Sequence, residues 1–422
     1  MNAGRRTPIV GSLAAIGILL AACSSSSGGT STSAAPAAAS TFGVLSCFTG
    51  RLASLGQAMI QGSQVAQKAI DDAGGINGHP LTLTQGDTGC DVAEGVTALN
   101  QMLTKNVSVV IGPETQEING VEPILQNNKI VDQFQGGDTS RDHQTDPFLF
   151  RDSPSDSQLG VAMGLYAYSK GYRNAALLFY SDAAAQTIVK PVTDTFKKLG
   201  GTIATSVTIT PGQTSYLSQV QQVINSHPDV IFTQTDAPTA AVVFKDFGQL
   251  NGLSTPFVGT DVTSGSDYLK AITYPIAHAH LTSVYGTSVT GQANDAFLSV
   301  FNQMFPADKA AGPLANSNYA YDAVISSALA QDYAKTTDGT TVAADMTKVT
   351  NPPGTACYTY ASCLALIKAG TKINYEGASG SLDYNQYNNV FGPYGAFQAD
   401  ATTGVEVQVQ VMSAADLATA TP

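Results

Sequence analysis

VIFTQTDAPTAAVVFKDFGQLNGLSTPFVG, residues 230–259, is the stretch whose reading decides the fold. Residues 230–234 are an apolar run of strand length, residues 239–250 an amphipathic stretch, and residues 256–259 a second apolar run. Short apolar runs suit strands buried on both faces, and a helix between two of them makes their connection parallel. Outward from this unit the order repeats. Strand 175–179, helix 186–199, strand 202–209 and helix 216–225 lie upstream. Before them come strand 42–46, helix 55–73, strand 81–84, helix 93–104, strand 107–111, helix 118–127 and strand 130–134. In the helix over 55–73, Met59, Ser63, Ala66 and Ile70 share one face at steps of three and four, and Gly74-Gly75 ends it. Two β-α-β-α sets in one chain predict an α/β protein with two doubly wound parallel-sheet lobes. Pro191 conflicts with its helix and predicts a kink there or a later first turn.

Beyond the second set, residues 293–304 and 319–335 are helical again, and 380–384, 395–398 and 405–412 read as strands. A chain that builds one lobe, then a second, and revisits the first crosses between them several times, which makes a multi-strand hinge. The expected boundaries are 41–153 with 284–376 for lobe I and 154–283 with 377–412 for lobe II. Residues 413–422 are left as a C-terminal tail.

The N-terminus reads as an export signal. Arg5 and Arg6 precede a short apolar run, and no acid occurs before Cys23. Residues 1–22 therefore read as a secretory leader, too short in its apolar part to span a bilayer. Leu20-Ala21-Ala22-Cys23 resembles the bacterial lipobox, which implies that Cys23 becomes an acylated first residue and anchors the chain to the cell membrane from outside. The alternative is an ordinary secretory cut at the same place. Residues 24–40, SSSSGGTSTSAAPAAAS, carry no charge and no periodicity, so 23–40 are expected to be a flexible tether.

Composition excludes several functions. Of the 422 residues 43% are hydrophobic and 12% charged, and the formal charge is −12. An acidic, sparsely charged surface argues against nucleic acid or anionic lipid as partner, leaving the lipid anchor as the membrane contact. Cys47, Cys90, Cys357 and Cys363 in an exported chain read as two disulfides. Cys357 and Cys363 are close in sequence. Cys47 and Cys90 each follow a predicted strand, and neighbouring parallel strands would bring them together. Without a CxxC pair or zinc-like spacing, neither a metal nor a redox role is expected. His278 and His280 alternate along a predicted strand and lack a third ligand, while His79, His143 and His227 lie in separate turns. No GxSxG, Walker A loop, GxGxxG or HExxH occurs, so no catalytic residue, no cofactor and no enzymatic activity are expected.

The element order resembles the type I periplasmic-binding-protein fold, and more narrowly the branched-chain amino acid (Leu/Ile/Val) substrate-binding family of ABC importers. The marks are Asp71-Asp72-Ala73-Gly74-Gly75-Ile76-Asn77-Gly78-His79-Pro80-Leu81, then Val110-Ile111-Gly112-Pro113. Late in the chain come Asn374-Tyr375-Glu376-Gly377-Ala378-Ser379-Gly380 and Leu382-Asp383-Tyr384, with Cys357 to Cys363 leading into Leu364-Ala365-Leu366. The resemblance runs from Phe42 to Met412. It implies a monomeric binding protein whose lobes close on a small ligand and deliver it to a membrane permease. A tethered receptor serving a signalling partner, or a doubly wound enzyme, would use the same cleft.

Loops at the carboxyl ends of parallel strands form that cleft. Thr115 and Gln116 follow Ile111-Gly112-Pro113 at a helix start, where hydroxyls and free N–H groups suit a ligand carboxylate. In loop 135–140 the glycines allow close backbone approach, and the resemblance carries the carboxylate-gripping role onto the backbone of Asp138 and onto Thr139. Helix N-capping is the bland reading of both loops. Asp261, closing Val258-Gly259-Thr260-Asp261, is the expected partner of a ligand ammonium, and Asp236 is either a second partner or a helix cap. Two departures from the family make the cleft more polar. Loop 181–186 lacks the family's covering tyrosine, and Asp138 stands where a small neutral residue is usual. Tyr319 and Tyr321 are the candidates for lost stacking surface, or else core.

Overall fold

A computed structural model describes residues 39–50, 52–287 and 291–421. The leader, Cys23 and nearly all of the tether lie outside the described residues. Ser40, expected in the tether, is instead folded: it is buried and donates from its hydroxyl to Gln331 at 2.5 Å.

The first lobe forms around β1 (Thr41–Ser46), α1 (Ala53–Asp72), β2 (Thr82–Asp87), α2 (Val92–Leu103), β3 (Val109–Ile111), α3 (Ile118–Asn127), β4 (Val131–Gln133) and β5 (Leu149–Phe150). Its five strands are all parallel, in the order β2-β1-β3-β4-β5. Side chains alternate across them. Phe42, Val44, Val109 and Ile111 share one core with α1, while Leu45 and Val110 share another with Leu99 and Met102 of α2 and Val121 of α3.

The second lobe follows with α4 (Asp156–Ser169), β6 (Asn174–Tyr180), α5 (Ala183–Lys198), β7 (Thr202–Ile209), α6 (Leu217–Asn225), β8 (Val230–Gln234), α7 (Ala237–Gln249), β9 (Phe257–Gly259), α8 (Gly265–Ile272), α9 (Tyr274–His280) and β10 (Leu281–Gly286). The chain then returns to the first lobe with α10 (Gln292–Met304), α11 (Ser317–Ala334), α12 (Gly339–Thr350), β11 (Thr355–Cys357), α13 (Tyr360–Lys368) and β12 (Ile373–Tyr375). It ends in the second with β13 (Tyr394–Ala399), β14 (Glu406–Met412) and α14 (Ala414–Ala420). The second sheet has seven strands in the order β14-β13-β10-β9-β8-β6-β7, and only β13 and β14 run antiparallel to their neighbours. Both lobes are therefore α/β with parallel sheets, as the alternating pattern predicts.

Several local expectations change. His278 and His280 end helix α9 rather than alternating along a strand. Residues 380–384 make no strand: they form a loop held by one bridge, Glu376 to Ser381. The tail carries α14, whose Leu417 and Ala420 are buried. Pro191 sits inside α5, where it presses on Gly160 of α4; a Cβ on Gly160 would lie 2.4 Å from the Pro191 Cβ.

Both disulfides are present, Cys47–Cys90 beside the carboxyl ends of β1 and β2 and Cys357–Cys363 between β11 and α13. The crossings between lobes are tied by Arg151, 1% exposed, whose guanidinium donates to Asn389 Oδ1 at 2.9 Å, the Asp138 carbonyl at 2.9 Å and Asp142 Oδ1 at 2.5 Å. The first crossing is thereby fixed to the last.

The 374–380 motif has a clear structural use. Asp322 of α11, fully buried, accepts from Tyr375 Oη (2.7 Å), Ala378 N (3.0 Å), Ser379 N (2.7 Å) and Ser379 Oγ (2.5 Å). Gly377 is required there, because a Cβ would stand 2.4 Å from Asp322 Oδ2.

Candidate functional site

The carboxyl ends of β3, β4, β6, β8 and β9 converge on one cavity between the lobes. The first lobe contributes Glu114, Thr115 and Gln116 after β3, and Gln135, Gly136 and Gly137 after β4. Leu52, Leu55 and Met59 add an apolar wall at the start of α1, and Asn316 enters just before α11. The second lobe contributes Asp156 from the first turn of α4, Tyr180 at the end of β6, Ala184 and Ile188 of α5, Gln234, and Asp261 with Val262 after β9. The arrangement follows the rule that open parallel sheets bind at the carboxyl ends of their strands.

Thr115, Gln116 and Asp261 thus lie together at the cavity, where the sequence reading put them. The other expected residues do not line it. Asp236 caps α7, its Oδ1 accepting from Thr239 N at 2.8 Å, which is the capping alternative. Asp138 caps the short turn over Thr139–Arg141, accepting from Ser140 N at 2.9 Å, and Thr139 lies within that turn. Their neighbours Gly136 and Gly137 reach the cavity instead, because the chain turns away after them. Tyr321 is core, its ring 5.1 Å from that of Phe297. Tyr319 is also buried in α11, while Tyr180, one residue before the loop that lacks an aromatic, lines the cavity.

Sequence reasoning missed Glu114, Asp156, Gln135 and Asn316. Glu114 is 6% exposed and receives a 3.3 Å bond from Ser46 Oγ. Burial, then the charges of Glu117 and Asp261, push its carboxyl up to about 8. Burial likewise pushes Glu117, just behind it, up to about 7. Asp156 is pushed up to about 7 by burial against an opposing bond from Thr187. Burial also raises Asp261, whose bond from Asn316 opposes the shift. A signal for Glu114 existed: it directly follows Gly112-Pro113 at a strand end, in the loop already singled out.

Two hydrogen bonds cross the cleft. Gln116 Nε2 donates to Asp182 Oδ1 at 3.2 Å, and Asn316 Nδ2 donates to Asp261 Oδ2 at 2.7 Å. The backbone of Asn316 is left-handed, at φ 71°, which asparagine tolerates better than most residues. Among the described residues no cluster of three or more His, Cys, Asp or Glu side chains is disposed to hold a metal ion.

The family model for periplasmic binding proteins matches residues 40–400. The chain belongs to that family. Among relatives of this periplasmic binding protein is "Leu/Ile/Val-binding protein homolog 1" of Brucella abortus, 23% identical over 316 residues, covering 71% of this chain and 79% of the relative. The leucine binding protein LivK of Thermotoga maritima superposes with a TM-score of 0.76 at 17% identity, covering 89% of this chain and 99% of that one. LivJ of Streptococcus pneumoniae, solved with isoleucine, gives 0.73 at 19% identity, covering 88% and 100%. At these identities the solved structures establish the type I fold of two lobes. The family is one of substrate-binding proteins, and no helix among the described residues is long and apolar enough to cross a membrane.

Proposed function

We propose that this chain is the extracytoplasmic, lipid-anchored solute receptor of an ABC importer, binding a small polar solute of amino-acid size between its lobes and delivering it to a permease. The observation that carries this reading is the cavity walled by strand ends of both sheets and crossed by the bonds Gln116–Asp182 and Asn316–Asp261. A ligand touching both walls stabilises the closed form over the open one, and hinge motion about the Arg151–Asn389 tie would let the lobes part. Protein purified without denaturation is expected to carry a small molecule detectable by native mass spectrometry. Stripping that molecule should enlarge the radius of gyration measured by small-angle scattering; an identical radius in both states would refute closure.

Membrane attachment rests on Cys23. Two acyl chains at about 0.8 kcal/mol per buried methylene hold a soluble domain firmly at a bilayer. Cys23→Ala is expected to release the protein or leave its leader uncut. Recovery of a processed, acylated Cys23→Ala protein with the membranes would overturn the anchor.

A further inference from the structure

We propose that the ligand of this cleft is a small organic dication without a carboxylate, two ammonium or guanidinium groups joined by a short apolar chain. The inference rests on the solute-receptor reading above and narrows it. Three carboxylates reach the cavity from three separate elements: Glu114 after β3, Asp156 at the start of α4 and Asp261 after β9. Among the described residues no lysine, arginine or histidine lines the same cavity; Arg151, behind Asp156, is the cation whose charge reaches that carboxyl. Burial raises all three carboxyls, and a ligand that brings positive charge beside them lets them ionise and pair with it.

The corner that would grip a carboxylate is hostile to one. The backbone of Gly137 lies so close to Asp156 that a Cβ there would stand 2.0 Å from its Oδ1. On the other side Glu114 immediately precedes Thr115, and Gly136 presses on Thr115, its Cβ position 2.5 Å from the Thr115 N. A ligand carboxylate against Thr115 and Gly136 would therefore sit between two acids and hold both in their protonated form, whereas a cation there lets them ionise and pair with it.

A separate observation also asks for hydrogen-bond donors. Gln135 is 8% exposed and borders the cavity, and its Oε1 has no hydrogen-bond partner. Its amide is oriented by the other end, since Nε2 donates to Asp152 Oδ1 at 2.8 Å. An orphaned acceptor in a ligand cleft is satisfied by an N–H of the ligand. Between these polar points the wall is apolar, with Leu55, Met59 and Ile188 suited to methylene groups. Several acceptors, no cationic side chain and an aliphatic wall describe an alkyl diamine better than an amino acid.

Calorimetry on the ligand-stripped protein tests this with three probes of similar length: 1,4-diaminobutane, 4-aminobutanoate and leucine. The diamine is expected to bind at least about 100-fold more tightly than either carboxylate-bearing probe, which corresponds to about 2.7 kcal/mol. Asp156→Asn and Glu114→Gln, each checked for an unchanged fold by circular dichroism, should each weaken the diamine at least about tenfold. Leucine or 4-aminobutanoate binding as tightly as the diamine would overturn the dication while leaving the receptor reading intact. Diamine affinity unchanged in both variants would overturn it too. If no probe binds and no small molecule co-purifies, the receptor reading itself fails.

Discussion

Asp322→Ala is expected to lower the unfolding free energy by about 3–6 kcal/mol, because it orphans several buried donors at about 1–3 kcal/mol each. The carboxylate, fully buried, receives four hydrogen bonds from Tyr375, Ala378 and Ser379. Alanine leaves two backbone N–H groups, a phenol and a serine hydroxyl buried in place. The shift should appear as a lower urea midpoint with an unchanged slope. Asp322→Asn keeps the shape, turns two of the acceptor positions into donors and should recover only part of the loss. Asp72→Ala, which removes an exposed pair with Lys68 at 2.8 Å, serves as the contrast and should cost about 1 kcal/mol or less. A midpoint for Asp322→Ala no lower than that of Asp72→Ala would show that the 374–380 loop is held by other contacts.

The ligand-free protein should be less stable at pH 8 than at pH 5. Burial pushes Glu114 up to about 8, Glu117, Asp156 and Glu406 up to about 7, and Asp322 up to about 6. These carboxyls hold their protons in the fold where the unfolded chain, with ordinary carboxyl values near about 4, has released them. Their contribution is therefore complete below about pH 4 and is lost as pH rises to about 8. The depressed carboxyls, Asp87, Asp338, Asp400 and Asp416, are exposed and act with the opposite sign at more acid pH. A net loss of about 2 kcal/mol across the window would lower the melting temperature by about 2–3 °C for a protein of this size. Scanning calorimetry on stripped protein reads this directly. Glu114→Gln should flatten the profile near its upper end, and a melting temperature that rises from pH 5 to pH 8 would contradict the burial of these groups.

Much of the architecture was legible because parallel strands buried on both faces are short apolar runs, and Val230–Gln234 or Asn174–Tyr180 can be little else. Helix α4 was not legible. Leu159, Val161, Ala162 and Met163 are all buried, so it has no polar face and no period to read. β5, β11 and β12 have two or three residues and, unlike β3, lack a longer apolar run around them to mark a strand. The same limits apply at the cleft. Thr115, Gln116 and Asp261 are found from strand ends alone, whereas Asp156 belongs to the unread helix and Asn316 reaches the cavity from the returning chain. Gln135 was read only as part of a glycine-bearing loop; its orphaned oxygen depends on Asp152 occupying the other end of the amide. Asp138 does not line the cavity, and its side chain caps a local turn, a competition that aspartate offers in such loops.

The order in which the chain visits its lobes also constrains how the molecule can be born. One face of the first sheet, with Phe42, Val44, Val109 and Val131, is covered partly by α1 and otherwise by Val324, Ala328, Leu329, Met346 and Tyr375, all from the returning segment. During synthesis that face stays only partly covered until the chain has passed through β10 and returned to the first lobe. An N-terminal fragment that stops short of α11 thus lacks much of the first lobe's core and is not expected to fold on its own.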